Sequence, residues 1–286
     1  MTPPAVATYR LTQPQKRRFV PLVVDSPHSG SILPEDFNFI CSLQELRQGE
    51  DSYVDQFAID VPQVGGVLLQ SLINRAYIDV NRSLSDLHPD ICADSVPWPL
   101  SRSKRTTNGI GLIRHLIGPN QPVYDRALSF AEIEHRVKTV YEPYYQILHE
   151  QLQTAHQAAG RVLHVNLHAT PSIVFHGSAQ PDIILGDHDG HSCARVYREW
   201  FKNTFEKKGL KVVINHPYKG VELTRRFAKP RQGFHSLQIE INKALYMDEK
   251  TLAIHSGKSE LQQIFKHVWS DTADWLIPND IAQAAE

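Results

Sequence analysis

The stretch FVPLVVDSPHSG, residues 19–30, decides how the rest of the chain is read. An apolar run, Phe19 to Val24, stops abruptly at Asp25-Ser26-Pro27-His28-Ser29-Gly30. A short apolar run closed by Ser, Pro and Gly is the pattern of a buried strand handing over to a turn. In open α/β sheets, ligand-binding side chains gather beyond the carboxyl ends of the strands. His28 stands at that place on the first expected strand.

Working outward, the same kind of run recurs. Arg161–His168 (RVLHVNLH), Asp182–Leu185, Lys211–Asn215 and Phe234–Ile241 (FHSLQIEI) read as strands, as do Val67–Leu69 and Tyr77–Val80. In FHSLQIEI the period is two, with Leu237, Ile239 and Ile241 on one face and Gln238 and Glu240 on the other. Helical segments stand between. Ser42-Leu-Gln-Glu45 and Ser129-Phe-Ala-Glu132 match capping boxes. The second opens the longest helix, with Ile133, Val137, Val140, Tyr141, Tyr144, Ile147, Leu148 and Leu152 on its buried face, a kink expected at Pro143 and a stop at Gly160. Further helices are expected over 51–61 (Val54, Phe57, Ala58 and Val61 on one face), from a Ser192 cap to about Lys208 with Gly209 closing it, and over 259–276. Strands alternating with helices predict an α/β fold with a mainly parallel or mixed central sheet flanked by helices. Residues 1–18 read as a polar lead-in or an edge segment, and residues 83–122, without periodicity, as a functional loop. With no repeat and no clear linker, residues 1–286 are expected to form one domain.

Composition narrows the function. Of 286 residues, 41% are hydrophobic and 21% charged, an ordinary globular profile. Thirty basic side chains against 31 acidic ones give a formal charge of -1, which gives no support for nucleic-acid or membrane-surface binding. The N-terminus lacks an apolar signal region, and no run approaches the roughly 20 apolar residues of a membrane helix. Cys41, Cys92 and Cys193 are isolated, which suits a reducing cytosol, so a cytoplasmic protein is expected. Fifteen histidines bring a histidine-ligated metal into consideration.

Four stretches bear on chemistry: Ser26-Pro-His28-Ser-Gly30, Glu50-Asp51-Ser-Tyr-Val-Asp55, Val165-Asn-Leu-His168-Ala-Thr170 and Leu237-Gln-Ile-Glu240-Ile-Asn242. Two histidines and a carboxylate with one open position form a common catalytic zinc set, and a further glutamate can move the proton. The chain has one candidate for each role: His28, Asp51 and His168 as ligands and Glu240 as acid/base. Each also has a plain structural reading. Strand-end histidines are usually hydrogen-bonded structural residues, and Asp51 suits the first turn of a helix. Glu50 and Asp55 compete with Asp51. Gly186-Asp-His-Asp-Gly190 is better read as a turn than as a second metal site.

Taken together, PHSG, the DxxxD segment at Asp51, Asp79-Val-Asn-Arg-Ser83, Tyr124-Asp125 leading into AEIEHRV, YEPYY, NLHATPS, ILGDHDGHSC, PYKGVELTRRF and HSLQIEINKALYMDE resemble the N-formylglutamate amidohydrolase (N-formylglutamate deformylase) family, from about Val20 to Glu249. The resemblance implies a fold similar to zinc carboxypeptidases and to the desuccinylase/aspartoacylase group. It implies one zinc ion, or another divalent metal, and hydrolysis of N-formyl-L-glutamate to formate and L-glutamate, commonly in bacterial histidine degradation. It carries the metal ligands onto His28, Asp51 and His168, the general acid/base onto Glu240, and a substrate-carboxylate pair onto Asn81-Arg82. The family often has Asp and Ser where this chain has Asn166 and Ala169. A substrate with two carboxylates needs fixed cations, for which Arg114 and Arg225 or Arg226 are further candidates, with Thr224 as a hydroxyl partner. Two alternatives stand beside this expectation: a metal hydrolase of another small N-acyl amino acid or peptide, and a non-catalytic binding protein on the same fold.

Overall fold

A computed structural model describes residues 7–15, 19–101, 103–118, 120–172 and 181–277. In chain order its strands are β1 Tyr9–Thr12, β2 Leu22–Ser26, β3 Val67–Ser71, β4 Leu116–Gly118, β5 Gln121–Pro122, β6 Val162–Thr170, β7 Ile183–Gly186, β8 Val212–Ile214 and β9 Phe234–Asn242. Its helices are α1 Leu43–Gln48, α2 Val61–Val64, α3 Lys104–Thr107, α4 Phe130–Arg136, α5 Glu142–Ala159, α6 Arg195–Lys207, α7 Glu222–Phe227 and α8 Gly257–Leu276. The chain gathers into two compact units. The first is built mainly on Pro27–Ser52 and Gln70–Ile147, the second on Leu11–Ser26, Tyr53–Leu69 and the chain from Leu148 onward.

The second unit is organised by a seven-stranded sheet in the order β1-β3-β2-β6-β9-β7-β8. Strands β2, β6 and β9 run parallel, as do β7 and β8, while β7 meets β9 antiparallel, so the sheet is mixed. The period-two pattern of the sequence separates two faces. Leu163, Val165 and Leu167 of β6 and Leu237, Ile239 and Ile241 of β9 belong to an apolar cluster with Phe57 and Val61, Tyr197, Phe201 and Phe205 of α6, and Phe265, Val268 and Trp269 of α8. The alternate residues, His164, Asn166 and His168 beside Ser236, Gln238 and Glu240, are equally buried but polar. Buried polar side chains must find partners, so this face has its own hydrogen-bond network.

The expected elements meet the structure with instructive differences. Both capping boxes form, Ser42 with Glu45 and Ser129 with Glu132. The long helix runs on past Pro143 through a π-helical turn, Val137–Tyr141, just before α5. Proline lacks the N–H an α-helix needs, and the wider turn accommodates it. Gly160 ends α5 at φ 70°. The helix expected over 51–61 is broken: Tyr53 takes φ 66°, Val54–Phe57 form a 3-10 turn, and the α2 turn follows, although the four predicted apolar residues are all buried. Tyr77–Val80 is not a strand. Asn74 Oδ1 accepts the Ala76 N–H at 2.8 Å, and Tyr77 N–H donates to Asn74 O at 3.0 Å, folding the backbone into a turn. Ser192 does not cap α6, whose N-cap is Ala194; its hydroxyl donates to Ser236 O instead. The stretch 83–122 holds α3, the β4-β5 pair and 3-10 turns capped by Ser83 and His88.

One buried histidine makes the second unit acid-sensitive. The His235 ring packs against Tyr197, and its Nδ1 accepts the Ala194 N–H at 3.3 Å, so the neutral form is required. Burial first, and the Arg161 charge second, push its pKa down to about 4. A depressed histidine contributes stability that is whole above the unfolded pKa and is lost as pH falls from about 6.5 toward 4. Acid unfolding over that window is expected to remove roughly 2–3 kcal/mol through this group. His235→Gln should flatten urea-midpoint titrations there; an unchanged slope would refute the assignment.

Candidate metal centre

In the first unit the site is built around His28, two residues beyond β2. The Asp51 N–H donates to His28 O at 3.0 Å, tying the chain after α1 to the PHSG turn. Asp51 Oδ2 lies 3.4 Å from His28 Nδ1. On the other side of the ring, Nε2 meets Asp79 Oδ1 at 2.6 Å. The same oxygen accepts the Asn81 N–H at 2.9 Å, and Asp79 Oδ2 receives Arg75 Nε and Nη2 at 3.2 and 2.8 Å. Burial alone would raise the Asp79 carboxyl, but Arg75, then His28 and Arg82, hold it well below the usual carboxylate range. An ionised carboxylate offers no hydrogen, so Nε2 of His28 donates, and in the neutral ring the lone pair is then on Nδ1. Carboxylate partners orient metal-binding histidines in this way. Arg75 Nη1 also reaches Asp51 Oδ1 at 3.4 Å.

In the second unit His168 lies on β6, level with Glu240 on β9. His168 Nε2 lies 2.8 Å from Asn166 Oδ1, and Glu240 Oε1 accepts from Gln238 Nε2 at 2.7 Å. His28, Asp51 and His168 are all buried, and each offers one ligand atom, the three atoms lying within 4.8 Å of one another. Two imidazoles and a carboxylate, both histidines held by their Nε2 atoms, fit a divalent ion of the zinc type. Glu50 accepts from Asn74 Nδ2 at 2.7 Å and is not in this group; nor is Asp55.

The other predicted positions differ in surroundings. Asn81 and Arg82 are buried. Arg82 donates to Ile110 O and Asn81 O at 3.3 and 3.0 Å and lies 3.9 Å from Asp79. Burial pushes its pKa down to about 10 despite Asp79. Arg114 donates to Gly49 O, and burial together with Arg75 pushes it down to about 9. Cations held at this cost are suited to receiving an anion. Thr224 is fully buried, with its hydroxyl 3.0 Å from His188 Nε2. Arg225 is exposed and ion-paired to Glu222, as is Arg226. The Gly186–Gly190 segment is a turn with His188, Asp189 and Gly190 at positive φ, and it contributes to no metal-type group among the described residues.

Sequence reading gave no role to Arg75, Asp79 or Asp25. The available signal was a carboxylate in an apolar setting: Asp79 between Ile78 and Val80, and Asp25 directly after Val23-Val24.

Comparison with known proteins places the chain. The family model described as N-formylglutamate amidohydrolase matches residues 20–247. The N-formylglutamate deformylase of Pseudomonas aeruginosa is 26% identical over 243 residues, covering 82% of this chain and 85% of that protein. That of Pseudomonas putida is 25% identical over 237 residues, covering 80% and 83%. The crystal structure of N-formylglutamate amidohydrolase from Ralstonia eutropha JMP134 superposes with a TM-score of 0.92 at 36% identity, covering 95% of this chain and 99% of that one. With the family model matched over most of its length, the chain belongs to the N-formylglutamate amidohydrolase family.

Proposed function

We propose that the protein is a zinc-dependent amidohydrolase that cleaves N-formyl-L-glutamate to formate and L-glutamate. The observation that carries this reading is the buried His28, Asp51 and His168 group in a chain of this family. The names of its Pseudomonas relatives supply the substrate. The family match over residues 20–247 draws on segments of both compact units, which supports reading that span as one functional domain.

His28, Asp51 and His168 would hold the ion. A zinc ion there supplies Lewis acidity and lowers the pKa of water to about 7. The protein's own side chains do the rest. Asp79 and Asn166 hold the two imidazoles in register through their Nε2 atoms. Glu240 takes the proton from the attacking water and returns it to the leaving amine. Arg82 and Arg114, with Asn81, receive the two substrate carboxylates, to which a planar guanidinium can bind in two places. Thr224 and Arg225 have a lesser part in substrate binding, Thr224 being enclosed and Arg225 paired with Glu222. Among the described residues no helix is long and apolar enough to cross a membrane. Three free cysteines support a cytoplasmic setting, where such a hydrolase would serve histidine degradation.

The test is release of glutamate and formate from N-formyl-L-glutamate by purified protein, before and after dialysis against a chelator. Activity is expected to vanish on chelation and to return with Zn²⁺. A panel of N-acyl amino acids should show at least tenfold preference for the two-carboxylate substrate, about 1.4 kcal/mol. Turnover insensitive to chelation would refute the metal mechanism, and equal rates with one-carboxylate substrates would refute the assigned substrate.

A further inference from the structure

The polar face of β6 contains a hydrogen-bond chain that ends on His168 and begins at a buried acid. Asp25, the next-to-last residue of β2, is aligned with Asn166 in the parallel register, and it is fully buried. Its Oδ1 receives Asn166 Nδ2 at 2.8 Å and His164 Nε2 at 2.9 Å. His164 Nδ1 lies 3.0 Å from the Ser236 hydroxyl. His164, Asn166 and His168 alternate along one strand and therefore share one face.

With Asp25 as the carboxylate, donor and acceptor chemistry orients the links. A carboxylate only accepts, so the Asn166 amide must turn its NH₂ toward Asp25 and its carbonyl toward His168. That carbonyl also only accepts, so His168 Nε2 must carry the hydrogen. In the neutral ring Nδ1 of His168 then has the lone pair. The same logic puts a hydrogen on His164 Nε2, and beside a neutral ring the Ser236 hydroxyl then donates to Nδ1. Removal of a carboxylate from water is costly unless hydrogen bonds offset it. An apolar residue at position 25 would avoid that cost, as it does at Val23 and Val24.

We propose that Asp25 is a positioning residue that acts through Asn166, fixing His168 as the Nε2–H tautomer with Nδ1 presented to a divalent metal. The negative charge behind this histidine is thus one side chain removed from it, whereas Asp79 lies directly against His28. The proposal rests on His168 being a metal ligand, and its test separates the two ideas.

The ring ¹⁵N signals of histidine-labelled, metal-free, full-length protein report the tautomer. His168, assigned with His168→Gln, is expected to be Nε2–H in the wild type and a tautomer mixture in Asn166→Leu. Zn²⁺ and Co²⁺ affinities by chelator competition are expected to fall roughly 10- to 100-fold in Asn166→Leu and about tenfold in Asp25→Asn, with a shifted Co²⁺ absorption spectrum. The double variant should bind no more weakly than Asn166→Leu alone, because one link is broken only once. Multiplying penalties in the double variant would show that Asp25 supports the fold independently, and would overturn the proposal. An Nδ1–H tautomer in the wild type would overturn it even if neither variant folds. A wild type that is Nε2–H but takes up neither ion overturns the metal reading while the hydrogen-bond assignment stands.

Discussion

Glu240→Gln is expected to lower kcat on N-formyl-L-glutamate by about 10²- to 10⁴-fold and to leave the metal content unchanged. The substitution is nearly isosteric. Glu240 is buried on β9 beside His168 on β6, and it accepts a hydrogen bond from Gln238 Nε2 at 2.7 Å. A glutamine can keep that bond through its amide oxygen, so the strand and its register should survive. It cannot take a proton from water or hand one to an amine. If Glu240 is instead a ligand, the variant will lose metal along with turnover. If it is only structural, kcat will stay within a few-fold of wild type. Metal analysis and steady-state kinetics on one preparation distinguish all three, and only retained metal with lost kcat supports the proton-transfer role.

Trp269→Ala is expected to cost about 3–5 kcal/mol in equilibrium urea unfolding. Trp269 lies on α8 and is fully buried. Its ring meets Phe265 and Phe201 with centroids 5.8 and 6.2 Å apart, and its indole Nε1–H donates to Phe57 O at 2.6 Å. Alanine leaves a cavity under the apolar face of the sheet and strips that backbone carbonyl of its donor. Both terms act in the same direction. Trp269→Phe should recover most of the packing and leave the smaller hydrogen-bond cost, roughly 1 kcal/mol. A loss under 1 kcal/mol for the alanine variant would mean that α8 does not hold this core together.

These two residues illustrate how much was legible in the chain. LQIEIN announced Glu240 because a carboxylate in a period-two apolar strand has few bland explanations. The last helix is expected over 259–276, a span that contains Trp269. Capping boxes at Ser42 and Ser129 were readable because both partners lie within one turn. The turn at Asn74 was not, because the apolar Tyr77–Val80 run looks like a strand until the Asn74 side-chain Oδ1 captures the Ala76 N–H. Likewise, the break after Asp51 follows from a left-handed Tyr53, which no local pattern predicts.

Local order in the sequence therefore determined strands β2, β3, β6, β7, β8 and β9, the longer helices, the apolar face of the sheet and the set of candidate ligands. Periodicity and caps depend only on neighbours along the chain. The parallel alignment of β2, β6 and β9, the choice of Asp51 rather than Glu50 beside the histidines, and the carboxylates standing behind His28 and behind Asn166 were decided by tertiary structure. Asp79 is 51 residues from His28 and Asp25 is 141 from Asn166. Contacts that span such distances are set by strand register and burial, which no short stretch of sequence encodes.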